Sequence, residues 1–140
     1  AYNGNSAIPV RFVFQVAAPT YFEPSEWTLL MKVDKLASEH DFCKMMTGKE
    51  LEDYTQEIQK ISPAGIVSDD SVPSLIAYGR IDHCVPVNQK NYLMEAYLFH
   101  DVPYDYIEFP KSNHVMYNDP DKLQEFLEKS LEYAERYFAA

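Results

Sequence analysis

Apolar residues recur along the chain with two periods, and the changes of period mark the elements. In Val10–Val16, the residues Val10, Phe12, Phe14 and Val16 fall on one face at period two, which predicts a strand. Val13 lies on the other face between Arg11 and Gln15, so both faces are expected to be partly covered. Asn3, Gly4, Asn5 and Ser6 predict a loop over residues 1–8. Pro19 and Pro24 break the backbone after the strand.

Residues 25 to 60 read as helices. Ser25 is the expected N-cap of the first. Over Lys35–Met46 the apolar positions Leu36, Phe42, Cys43 and Met46 form an imperfect helical stripe, which Gly48 can end. Thr47 and Glu50 have capping-box spacing. The helix beyond them carries Leu51, Tyr54, Ile58 and Ile61, and Pro63 stops it.

Ser74–Tyr78 is a short unbroken apolar run, the pattern of a strand buried on both faces of a parallel sheet. Residues 88–100 predict a helix with Leu93, Ala96, Tyr97 and His100 along one side. Tyr104–Phe109 alternates like a half-exposed edge strand. Asp119-Pro120 reads as an N-cap with proline in the first helical position. The closing helix runs to about Phe138 with the stripe Leu123, Phe126, Leu127, Leu131, Ala134 and Phe138.

Strands alternating with helices predict an α/β fold, a three-stranded parallel sheet with two flanking helices. Residues 1–140 suit a single domain, with a helical excursion at about 21–60. Composition narrows the functions. With 12 basic against 22 acidic side chains the net charge is -10, which argues against nucleic acid and against anionic membrane surfaces. No apolar run reaches the length of a membrane span, and no signal peptide is visible. The two thiols, Cys43 and Cys84, are expected to be reduced and buried, in a cytoplasmic protein.

In open α/β sheets, reactive groups lie just beyond the carboxyl ends of strands. Two such ends are polar here: Gly79-Arg80-Ile81-Asp82-His83-Cys84 and Pro110-Lys111-Ser112-Asn113-His114. Asp82 and His114 therefore hang from loops at one end of two neighbouring strands. A carboxylate beside an imidazole fixes the ring's tautomer and stabilises the imidazolium that forms when the ring takes a proton. The remaining candidates carry less. His40, Cys43, His83, Cys84, His100 and His114 have no common zinc spacing, so no metal is expected. Cys84 follows the candidate acid, outside any nucleophile turn. Asp69-Asp70 reads as a solvated loop.

The stretch VPSLIAYGRIDHCVPVNQ, then YIEFPKSNH and a terminal helix, resembles the C-terminal portion of α/β-hydrolases, most of all their esterase/lipase and prolyl-oligopeptidase-like branches. VRFVFQVAAPTYF is similar to the strand and proline turn that follow the family's nucleophile helix. The resemblance implies that Asp82 is the acid and His114 the base of a catalytic triad, and that residues 21–60 are a helical cap. Tyr21, Phe22 and Trp27 would then either line an acyl pocket or pack the cap, and Met31, Met45 and Met46 would supply an adaptable wall or fill the core. The family's Gly-x-Ser-x-Gly elbow is not in this sequence, whose glycines are Gly4, Gly48, Gly65 and Gly79.

The nucleophile half is therefore expected to precede Ala1, and the chain alone to be inactive. The implied reaction is hydrolysis of a small-molecule ester through a serine acyl-enzyme, with no cofactor. A serine peptidase of prolyl-oligopeptidase type and a non-catalytic protein-binding module of the same ancestry are the alternatives. Without its upstream neighbour the strand Val10–Val16 becomes an apolar edge, so a homo-oligomer formed through it is expected.

Overall fold

Parallel strands must be joined by long crossovers, and the order of elements meets that requirement. The computed structural model describes residues 9–31 and 38–138. It contains β1 (Val13–Val16), α1 (Pro24–Met31), α2 (Glu39–Thr47), α3 (Leu51–Ile61), a short 3-10 turn (Pro63–Ile66), β2 (Ser74–Gly79), α4 (Gln89–Phe99), β3 (Tyr104–Phe109) and α5 (Pro120–Phe138). The strands form one parallel sheet in the order β1-β2-β3. Val13 lies opposite Ser74, and Ser74 opposite Tyr104. The expected α/β architecture, three parallel strands with flanking helices, is present.

The unbroken apolar run of β2 follows from its place. It has a strand on either side and helices over both faces, and every one of its residues is buried. Leu75 and Ala77 pack with Ile107, Phe109, Met116 and Tyr133 beneath α5. Ile76 and Tyr78 point the other way, onto Leu93 and Tyr97 of α4. A third cluster, Phe42, Cys43, Tyr54 and Ile58, belongs to the helices α2 and α3. Trp27 packs on both the second and the third cluster and so joins the helical excursion to the sheet. Its ring stacks on Phe42 at 6.4 Å, and its indole N–H donates to the Tyr21 carbonyl at 2.9 Å. Of the two readings for Phe22 and Trp27, packing is the one their contacts fit. Met46 joins the same cluster, while Met45 is exposed.

Buried Gln89, at the start of α4, clamps the segment that leads into α1. Its side-chain oxygen accepts from the Thr20 and Tyr21 N–H groups at 2.9 and 2.8 Å, and its amide donates to Glu26 at 2.8 Å. Tyr92 donates to the same carboxylate at 2.5 Å; that bond, more than burial, pushes its phenol up to about 12.

Several boundaries differ from expectation. β1 is shorter than Val10–Val16 because its ladder to β2 begins only at Val13. Ser25 lies inside α1, which starts at Pro24. α2 starts at Glu39 rather than Lys35, because Ser38 and Asp41 form a reciprocal capping box. Thr47 does not cap α3: it is the last residue of α2, its hydroxyl donates to the Cys43 carbonyl, and Gly48 in a left-handed conformation (φ 72°) ends the helix. The N-cap of α3 is Glu50, without a side-chain cap bond. Cys43 is buried as expected, but Cys84 is exposed on a turn, and both thiols are free. The loop expected over residues 1–8, and Lys35 and Leu36, lie outside the described residues, as does the side chain of Met31.

The largest correction concerns α5. Phe126 of the expected stripe does face the sheet, but its companions there are Tyr133 and Tyr137 rather than the leucines. The Tyr133 hydroxyl lies 2.9 Å from the Ser74 carbonyl oxygen and 3.0 Å from the Asp105 carboxylate, so it spans β2 and β3. Burial, then Asp105, push its pKa up. Leu127 and Leu131 are left 52% and 66% exposed. On the neighbouring edge strand β1, Phe14 and Val16 are also exposed. Among the described residues no helix is long and apolar enough to cross a membrane.

Candidate active site

The carboxyl ends of β2 and β3 continue side by side as two loops. The Arg80 N–H donates to the Phe109 carbonyl at 3.0 Å and the Ile81 N–H to the Ser112 carbonyl at 3.2 Å, which extends the ladder beyond the strands. The approach is so close that a methyl group on Gly79 would lie 2.2 Å from the Asn113 carbonyl oxygen and 2.6 Å from that of Ser112. Only a residue without Cβ fits there.

Each loop is built to hold one polar side chain. In the first, the Asp82 N–H donates to the Gly79 carbonyl at 3.2 Å. Oδ1 of Asp82 accepts from the Cys84 and Val85 N–H groups at 2.7 and 3.0 Å, an Asx turn anchored by buried Val85. In the second, Ser112 is fully buried and donates to the Asp119 carboxylate at 2.6 Å. That carboxylate also accepts from the Lys111 N–H at 3.0 Å, and the Asn118 N–H donates to the Ser112 hydroxyl at 3.1 Å. Asp119 thus ties the loop to the start of α5, whose Leu123 N–H donates to its carbonyl. The turn is closed by the Met116 N–H on the Asn113 carbonyl, with Met116 in the left-handed region (φ 55°). Such a conformation costs about 1–2 kcal/mol, offset by burial of Met116 in the core cluster under α5.

His114 sits on that turn, and its Nδ1 lies 2.9 Å from Oδ2 of Asp82. The Asp82 side chain is 0% exposed and that of His114 is 44% exposed. The two oxygens of Asp82 therefore do different work: one folds its own loop and the other holds the ring. An ionised carboxylate only accepts, so Nδ1 carries the hydrogen and Nε2 of the neutral ring is left with its lone pair. Such a ring can take a proton at Nε2 while Asp82 stabilises the resulting imidazolium.

The other candidates are placed elsewhere. His40 pairs with Glu50, and His100 pairs with Asp69 at 2.6 Å. Asp69, with its side chain 89% exposed, lies on a solvated loop. Cys84 does face the site: ligand atoms of Asp82, Cys84 and His114 all lie within 4.8 Å of one another. Sequence reasoning missed the strut from Ser112 to Asp119. Its only trace in the sequence is Asp119-Pro120, which reads as a helix cap.

Residues 12–140 match the prolyl oligopeptidase family. The chain belongs to that family. No curated protein matches it. Among solved structures, it is similar to a protein described as a truncated form of carbohydrate esterase from gut microbiota, with 17% identity and a TM-score of 0.64. The match covers 93% of this chain and 44% of the other, so this member of the prolyl oligopeptidase family spans less than half the length of that structure. At that identity the likeness shows the fold.

The contact at Gly79 yields a prediction. Gly79→Ala forces the two loops apart and is expected to destabilise the chain by about 1–3 kcal/mol, as overpacking does. Urea unfolding measures it, and an unchanged midpoint would show that the loops are not in contact.

Proposed function

We propose that this chain carries the acid and the base of a serine hydrolase that cleaves carboxylic esters, the serine being supplied from outside these 140 residues. The observation that carries the reading is the 2.9 Å contact between the unexposed Asp82 carboxylate and the half-exposed His114 ring. The serine hydroxyl attacks the ester carbonyl, and Nε2 of His114 takes its proton. The same proton then goes to the leaving group as the acyl-enzyme forms. Water, deprotonated by His114 in turn, releases the acid. Asp82 stays ionised throughout, orienting the ring and balancing its charge. Helices α1 to α3 serve as the cap over the substrate, and no cofactor enters the chemistry.

An ester is favoured by the structural neighbour described as an esterase. The family's name favours the second reading, a serine peptidase acting on a peptide bond. Two free thiols, one of them exposed, suit a reducing compartment such as the cytoplasm.

The test uses the longer protein, with a Gly-x-Ser-x-Gly elbow joined upstream of these residues. It is expected to hydrolyse p-nitrophenyl acetate, and Asp82→Asn is expected to lower kcat by about 10⁴-fold. His114→Ala should do at least as much, and the 140-residue chain alone should be inert. Undiminished turnover by His114→Ala would remove His114 from the reaction. Faster cleavage of a proline-containing peptide than of any ester would install the peptidase reading instead.

The proposal for the 140-residue chain on its own includes self-association along β1. It is supported by the open edge of that strand, by exposed Phe14 and Val16, and by an adjoining apolar groove of about 200 Å³ between β1 and α5. Light scattering is expected to find a dimer or larger species, and Val16→Lys is expected to shift it toward monomer. A monomeric unmodified chain would contradict this part.

A further inference from the structure

We infer that Asp82, Cys84 and His114 together form a binding site for a thiophilic divalent metal ion, of which zinc is the type. The three side chains offer a carboxylate oxygen, a thiol sulfur and an imidazole nitrogen, with all three ligand atoms within 4.8 Å of one another. In a tetrahedral zinc site, bonds of about 2.0 Å to oxygen and nitrogen and about 2.3 Å to sulfur place neighbouring ligand atoms roughly 3.2–3.8 Å apart. Asp82 and His114 are already at 2.9 Å. The remaining adjustment falls on Cys84, which is exposed on its turn and whose side chain can rotate.

Charge and softness point to the same class of ion. A carboxylate and a thiolate together neutralise a doubly charged cation, and the imidazole adds a neutral ligand. The thiolate selects zinc and similar ions over magnesium and calcium, which prefer oxygen alone. The carboxylate is also oriented from behind: the Cys84 and Val85 N–H groups hold its other oxygen. Because the Cys84 and His114 side chains reach solvent, the ion has an open approach. Water completes the coordination.

The sequence spacing conceals this site. Asp82 and Cys84 are two residues apart on one loop, and the third ligand arrives from the end of the next strand. No linear motif describes that arrangement, which exists only because β2 and β3 are parallel neighbours.

Loading balances simply. The thiol proton of Cys84 leaves to solvent, the imidazole binds as the neutral ring with its one proton on the nitrogen away from the metal, and no electron is transferred. While the ion is bound, His114 is held as a ligand and Asp82 no longer orients it for proton transfer. The metal would therefore hold the hydrolase off. That consequence rests on the function proposed above, whereas the binding does not.

The test is a titration of the 140-residue chain with cobalt(II), whose bond to a thiolate gives a charge-transfer absorption in the near ultraviolet. The band is expected to appear, to saturate at one ion per chain, and to vanish on addition of zinc. Cys84→Ser should abolish it, and His114→Ala should weaken binding at least tenfold. Both side chains reach solvent, and circular dichroism verifies that the variants are folded. Absence of the band in the unmodified chain would overturn the proposal. So would a band that survives Cys84→Ser, which would trace to Cys43, or a His114→Ala chain of unchanged affinity. Cobalt binding depends only on this proposal, and ester turnover by metal-free protein depends only on the hydrolase reading, so either can fail without the other.

Discussion

One hydrogen bond, between the ring of His114 and the carboxylate of Asp82, is the contact on which the proposed chemistry depends. A short contact between an exposed ring and a loop carboxylate is ordinarily a weak constraint, because both groups move and water competes. Here the carboxylate is withdrawn from solvent and held by two backbone N–H groups on its far oxygen. The ring is carried on a turn locked by a buried strut from Ser112 to Asp119. Neither partner is free to search, so the bond costs little ordering entropy when it forms.

The parallel sheet supplies the rest of the constraint. Two strands side by side, running the same way, deliver their carboxyl ends to one place. The absence of a side chain at Gly79 lets the loops touch there. The deep packing of β2 between α4 and α5 fixes those ends from below. Part of the apolar surface the chain leaves uncovered lies on β1 and the leucines of α5, and Ile81 and Val115 extend it to the loops beside the pair. The two strands that deliver the polar groups are thus fixed from both faces, while β1 at the sheet edge pairs with β2 alone.

Much of this was legible in the sequence. β2 announced itself as an apolar run between Pro73 and Gly79, and the candidate pair followed from asking which polar residues lie past strand ends. What was not legible depends on partners distant in the chain. The α5 leucines looked like the core face because hydrophobicity counts carbon. Tyr133 won that face because its hydroxyl meets Ser74 and Asp105 on two different strands. Thr47 and Glu50 have capping-box spacing, but only the backbone decides its use: Gly48 ends α2, leaving Thr47 inside it. That Cys84 adjoins the acid was legible, but not that its side chain turns toward His114, because linear spacing carries no side-chain direction.

The claim most exposed to direct measurement is the tautomer of His114. Nitrogen-detected NMR of the histidine side chains in the 140-residue chain, near neutral pH, distinguishes a proton on Nδ1 from one on Nε2. The account predicts that the neutral form of the ring carries its proton on Nδ1, a preference that disappears in Asp82→Ala. A proton on Nε2 in the unmodified chain, or a spectrum indifferent to the loss of Asp82, would contradict it.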